Sequence, residues 1–143
     1  YITGTIVTQA LEREIVELGN LQPKRDMCYV EDGVRGHLHV ALEGLPGEQY
    51  VYGHGENVSM RDWTNLILDV GAEEGYWERP EIVQADERYR PGDSDVEELL
   101  VGYKKLNQLT GWKPDVGWRE GVRRTIDWYA NNKESWYGRV DWR

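Results

Sequence analysis

Apolar positions recur along this chain first with a helical and then with a strand period, and the changes of period predict its elements. Over residues 1–13, Ile2, Ile6 and Ala10 fall at helical spacing with Val7 and Leu11 beside them. The pattern is that of a helix already under way at the first residue. "EIVEL" (14–18) alternates as a short strand, and "GNLQPKR" (19–25) is a loop marked by Gly19 and Pro23. "DMCYV" (26–30) reads as a short extended segment. From Asp32 onward a helix is predicted, with Val30, Val34, Leu38 and Leu42 four apart on one stripe and with Gly44, Pro46 and Gly47 ending it.

"EQYVYG" (48–53) is predicted to be a strand, followed by a turn at "HGEN". "SMRDWTNLILDVG" (59–71) is the clearest helix, with Ser59 as N-cap, Asp62 favourable in the first turn and Gly71 as the C-terminal glycine. Its buried stripe is Trp63, Leu66, Ile67 and Val70. "EIVQA" (81–85) is a short strand. Residues 96–112 read as two short helical pieces, the second closed by Gly111 ahead of Pro114. The last helix, within residues 117–132, turns Trp118, Val122, Ile126 and Tyr129 inward, and an aromatic, basic tail follows. The sum is one α+β domain of short strands and amphipathic helices spanning residues 1–143, without internal repeats.

Composition narrows the partners. The chain has 143 residues, 26 Asp plus Glu against 17 Lys plus Arg, and a net charge of -9. That balance argues against nucleic acid or an anionic membrane as the main partner, since both need a basic face. Seven Trp and nine Tyr supply large core anchors in a chain without Phe. Cys28 is the single cysteine, so no intrachain disulfide forms, in keeping with a reducing cytoplasm. No apolar run approaches the roughly 18 residues of a membrane span.

Most of the reactive side chains read as structural. His37 and His39 are two apart on a helix and point to different faces, whereas a helical metal pair needs a spacing of three or four. His54 stands alone in a glycine turn, and Cys28 has no histidine partner in the sequence around it. The loop arginines differ. Arg25 precedes Asp26 in one loop, while Arg88 and Arg90 lie in another, "DERYRPGDSD" (86–95). Planar guanidinium donors suit phosphate oxygens. Two loop arginines converging on a pocket would fit a diphosphate, and Asp93 could accept from a sugar hydroxyl. The residues alone leave open the plainer reading of solvated arginines in ion pairs.

The order "LGNLQPKRDMCYVEDGVRGHLHVALEG", "YVYGHGENVSMRDWTNLIL", "RYRPGDSDVEELL" and "LTGWKPDVGWREGVRRTIDWY" resembles the C-terminal half of the extended short-chain dehydrogenase/reductases. These are the NAD(P)-dependent sugar-nucleotide epimerases and dehydratases. "LGNL…KRD" and "SMRDW" resemble the GDP-mannose 4,6-dehydratase-like branch, with the dTDP-glucose and UDP-sugar branches also open. The resemblance implies the small substrate-binding domain of a Rossmann-type enzyme. It implies that Arg25 and Arg90 bind the diphosphate of a GDP, dTDP or UDP sugar, that Asp93 binds the ribose, and that the loop at Asn20 lies near the base.

The family's chemistry also needs a glycine fingerprint for NAD or NADP and a Tyr-x-x-x-Lys pair. No glycine fingerprint occurs in this sequence, and the single Tyr-x-x-x-Lys spacing, Tyr129 to Lys133, stands at the end of the last helix with no such fingerprint ahead of it. The chain by itself is therefore expected to hold no cofactor and to turn over no sugar nucleotide. Its expected partners are the nucleotide sugar and an N-terminal Rossmann half that carries NAD or NADP. The alternatives are a standalone nucleotide-sugar-binding module, or a structural domain whose bare face is the one the Rossmann half would cover.

Overall fold

The computed structural model describes residues 2–85, 88 and 96–138. In chain order the elements are α1 (Ile2–Glu12), β1 (Ile15–Leu18), β2 (Lys24–Asp26), α2 (Val30–Glu43), β3 (Asn57–Ser59) and α3 (Met60–Glu73), followed by β4 (Glu81–Gln84), β5 (Glu98–Leu99), α4 (Lys104–Thr110), α5 (Trp118–Asn131) and α6 (Lys133–Trp136). Among the described residues no helix is long and apolar enough to cross a membrane.

The core lies between α1, α3 and α5 and against β1. Ile6, Val7 and Ala10 of α1 meet Trp63, Ile67 and Val70 of α3 and Val122 and Ile126 of α5, with Val16, Leu18 and Leu21 closing one side. Burial of such side chains is worth roughly 1.5–3 kcal/mol each. It explains why the helical periods of these three segments were legible in the sequence. The capping at Ser59 is as expected: its hydroxyl accepts from the Asp62 amide at 3.0 Å and donates to the Asp62 carboxylate at 2.6 Å.

The strands form two small sheets. β1 runs parallel to β4, from Ile15 opposite Glu81 to Leu18 opposite Gln84. Gln9, fully buried, exchanges two bonds with the backbone of Glu17, at 2.9 and 3.1 Å, and so ties β1 to α1. In the second sheet β2 is central, antiparallel to β3 and parallel to β5. Three short pieces here depart from the sequence reading. Residues 24–26 are a strand and not loop, residues 57–59 are a strand, and the first piece of 96–112 is β5 and not helix. Each is only two or three residues long and is stabilised by its neighbours, which no local period reveals.

Gly71 does not end α3. It lies inside the helix, which runs to Glu73, because a β-carbon there would sit 1.9 Å from Cζ2 of Trp77. Trp77 is held in that position by its indole N–H, which donates to the Leu68 carbonyl at 3.0 Å. The glycine is a packing residue. Gly111, by contrast, ends α4 in the left-handed conformation at φ +75°.

The largest departure is α2. The apolar stripe exists but faces outward: Val30, Val34, Leu38 and Leu42 are 67%, 54%, 56% and 82% exposed. The buried positions of α2 are Asp32 and Gly36. Gly36 admits the Tyr52 ring, and a β-carbon there would lie 2.4 Å from it. The Asp32 carboxylate is fully buried and accepts from Arg35 at 2.5 Å and from the amides of Val116 and Asp115 at 3.0 and 3.2 Å. Arg35 in turn pairs with Asp115 at 3.0 Å. One carboxylate thus fastens α2 to the segment leading into α5. Residues 48–53, expected as a strand, belong to neither sheet.

Two outcomes follow for stability. Gly71→Ala should lower the urea unfolding free energy by roughly 1–3 kcal/mol, the usual range for overpacking, while Leu42→Ala at the exposed end of α2 should change it little. Burial acts to raise the Asp32 pKa, but the Arg35 bond and the two amides outweigh it and hold the carboxyl below its ordinary value. A carboxyl depressed on folding adds stability above its unfolded pKa and loses it as pH falls through the folded value. Urea midpoints measured between neutrality and strong acid should therefore fall more steeply below about pH 4 in the wild type than in Asp32→Asn, which should start lower at neutral pH.

Candidate functional site

Arg25 sits in the middle of the central strand of the second sheet, opposite Val58 of β3 and Leu99 of β5. It is half-buried, and its Nη1 donates to the Lys24 carbonyl at 2.8 Å. The next residue fixes the strand in place. Asp26 Oδ1 accepts from the His54 amide at 2.6 Å, and Oδ2 accepts from Gly55 at 2.9 Å and Val101 at 3.3 Å. A β-carbon on Gly53 would lie 2.8 Å from both carboxylate oxygens. The Gly53–Gly55 turn therefore wraps the carboxylate, with Gly55 at φ +86°. Sequence reasoning treated this turn and the aspartate separately. Their available signal was the pairing of a motif carboxylate with two glycines one residue apart.

Asn20 lies in the loop after β1, half-buried, with its side-chain oxygen accepting from the Gln22 amide at 3.0 Å. The chain around 86–95 is attached on both sides of this region. Ala85 donates to the Leu18 carbonyl at 2.9 Å. The carbonyl of Arg88 packs so close to Gly19 that a β-carbon there would be 2.3 Å away. Beyond the loop, Lys24 donates to the Glu97 carbonyl at 2.8 Å, and β5 continues alongside Arg25. Arg88 thus lies next to the Asn20 loop, and Glu97 and β5 lie next to Arg25. Arg90 and Asp93 themselves lie outside the described residues. Arg88, the third arginine considered, is largely buried and approaches Glu17 at 3.7 Å.

A cavity of about 770 Å³ opens elsewhere, between α1, α5 and the start of α2. Thr3, Cys28, Tyr29, Trp118, Arg124 and Trp128 line it, and neither Arg25 nor Asn20 does. Its walls are mainly aromatic and aliphatic, and Arg124 is engaged by Glu120 and Glu31 at 2.7 and 2.9 Å. Burial pushes the Cys28 thiol up to about 11, with the nearby Asp32 and Asp26 carboxylates adding to the effect. A thiol so disposed is a poor nucleophile.

Each histidine meets a neighbour within the domain. His37 Nδ1 meets the Gly33 carbonyl at 2.8 Å and the Tyr52 hydroxyl at 2.6 Å, and His39 Nδ1 meets Glu43 at 2.8 Å. The His54 ring lies on Trp118, centroids 5.0 Å apart. Among the described residues no group of three or more His, Cys, Asp or Glu is arranged to hold a metal ion.

The comparisons with known proteins agree with this architecture. The family described as GDP-mannose 4,6 dehydratase matches residues 1–125. A dTDP-glucose 4,6-dehydratase of Escherichia coli is 34% identical over 146 residues, covering 95% of this chain and 39% of its own length. In solved structures, the dTDP-glucose 4,6-dehydratase of Bacillus anthracis in complex with NAD superposes with a TM-score of 0.81 at 22% identity, over 95% of this chain and 41% of that one. An epimerase from Methanothermobacter thermautotrophicus superposes with a TM-score of 0.78 at 26% identity, over 94% and 38%. The chain thus spans about 40% of the length of the relatives it matches. It belongs to the GDP-mannose 4,6 dehydratase family, within the NAD-dependent sugar-nucleotide dehydratases and epimerases.

Proposed function

We propose that residues 1–143 form the substrate-binding domain of a sugar-nucleotide dehydratase or epimerase. The diphosphate would be gripped by Arg25 and Arg90, the ribose by Asp93, and the base would lie against the loop at Asn20. The observation that carries this reading is that Arg88 packs on Gly19 in the Asn20 loop while Glu97–Leu99 pair with Lys24–Arg25. An arginine on a rigid central strand beside a loop bearing a second arginine is suited to a diphosphate, because planar donors held in fixed positions lose little freedom on binding. The adjacent Asp26 bonds hold Arg25's strand in place.

Hydride chemistry on the sugar would come from an NAD- or NADP-carrying half, which supplies the catalytic tyrosine and lysine and the glycine fingerprint that this sequence lacks. On this reading the isolated chain binds nucleotide and is inactive alone. A single cysteine and an acidic surface suit work in a reducing cytoplasm. The relatives include enzymes named for dTDP-glucose and for a GDP sugar, so the base is the variable to be measured.

Titration of the isolated chain with GDP, dTDP and UDP should raise its melting temperature selectively for one nucleotide, since a ligand of the folded state alone must stabilise it. Arg25→Ala should remove most of that rise and weaken calorimetric binding by about tenfold or more, in line with loss of a charge-assisted contact. An equal rise in wild type and Arg25→Ala would count against the clamp.

A further inference from the structure

α3 begins against the loop that follows β1. The Met60 amide donates to the Pro23 carbonyl at 2.9 Å, and the Arg61 amide donates to the Leu21 carbonyl at 3.0 Å. Leu21 and Pro23 are buried, so the loop is held from beneath. The Arg61 side chain returns to the same loop by a second route. Its Nη2 donates to Gln84 Oε1 at 3.4 Å, and Gln84 Nε2 donates to the Gly19 carbonyl at 3.4 Å. Arg61 thus brackets Asn20, with its backbone at Leu21 and its guanidinium, through Gln84, at Gly19.

This arginine breaks two local rules. It stands in the first turn of the 14-residue helix α3, where the positive end of the helix dipole disfavours a cation. It also meets no carboxylate among the described residues, in a chain where 26 Asp plus Glu outnumber 17 Lys plus Arg. Arg35, Arg79, Arg119, Arg123 and Arg124 each have a carboxylate partner. The partner of Arg61, the Gln84 amide, is neutral and lies at the long limit of a hydrogen bond. Both side chains are exposed, so neither contributes to the core. Positions that break local rules without a packing gain are where function is expected.

We propose that Arg61 reads the base of the bound nucleotide, that Gln84 positions it for this task, and that the base it selects is guanine. This rests on the reading that the base lies against the Asn20 loop. Hydrogen-bonding chemistry makes the selection. Gln84 turns its oxygen to Arg61 and its nitrogen to Gly19, so the pair presents a guanidinium beside Asn20. That group is all donors and no acceptor. Guanine offers N7 and O6 side by side, both acceptors, and two parallel N–H groups of one arginine meet them together. Thymine and uracil set an N–H between their two carbonyls. A guanidinium facing that edge would oppose donor to donor and leave a polar group without a partner.

The test is calorimetric titration of the chain with GDP, UDP, dTDP and 7-deaza-GDP, in which carbon replaces guanine N7. The wild type should bind GDP more tightly than the other three. Arg61→Ala should weaken GDP binding by about tenfold or more, leave UDP and dTDP unchanged, and erase the difference between GDP and 7-deaza-GDP. Arg61→Lys, which keeps the charge but not the paired donors, should behave like Arg61→Ala. Gln84→Ala should reduce the preference for GDP without changing UDP affinity. The melting temperatures of the unliganded variants should match the wild type. A GDP preference intact in Arg61→Ala, 7-deaza-GDP bound as tightly as GDP, or a preference for UDP or dTDP would each overturn the assignment. In those cases an equal weakening of all the nucleotides in Arg25→Ala would leave the diphosphate clamp standing. Binding of no nucleotide at all would sink the clamp and the base reader together.

Discussion

The carboxylate of Asp26 organises the part of the molecule on which the functional reading depends. It collects three backbone amides, from His54, Gly55 and Val101, that belong to stretches far apart in sequence. Hydrogen bonds to an ionised acceptor are roughly twice as strong as neutral ones, and leaving amides without partners costs about 1–3 kcal/mol per group. β2 is only three residues long and could not hold its place by ladder bonds alone. Fixed through Asp26, it becomes the central strand between β3 and β5, and Arg25 acquires a defined position on it. Asp32 plays the corresponding part for α2 by taking the Asp115 and Val116 amides ahead of α5. Two buried or half-buried carboxylates thus do for this small domain what a larger core would do for a larger one.

Much of the fold was legible because it rests on long periods. The stripes of α1, α3 and α5 point into one core, β1 alternates as expected, and β4 falls where a short strand was expected. The capping serine at Ser59 and the closing glycine at Gly111 lie where local chemistry puts them. The misreadings have physical causes. β2, β3 and β5 are too short to carry a period and owe their form to tertiary pairing. Gly71 resembles a helix terminator but exists to admit Trp77. α2 has a clear period whose direction no sequence pattern discloses, since a stripe says that a face is buried and not against what. For the site, the arginines and the loop at Asn20 were visible as a family pattern. What was not visible was the carboxylate and glycine work beneath it, because backbone amides leave no mark in a sequence.

The inverted helix and the anchored loop belong to one picture. On one side the domain holds Arg25 between β3 and β5, and on another it offers the aliphatic stripe of α2. The aromatic cavity between α1 and α5 is a separate feature, lined by Trp118 and Trp128 and remote in composition from any phosphate clamp. Cys28 in its wall, with its thiol pushed up to about 11, contributes bulk there and no reactivity.

The central claim is that a nucleotide sugar binds at Arg25 on β2, beside β5 and the Asn20 loop. The most direct measurement is a map of amide chemical-shift changes as dTDP-glucose, GDP-mannose or UDP-glucose is added to the isotopically labelled chain. The account predicts saturable changes concentrated in residues 19–26 and 86–99 for one of the three. Changes centred instead on Tyr29, Trp118 and Trp128, around the aromatic cavity, would contradict it.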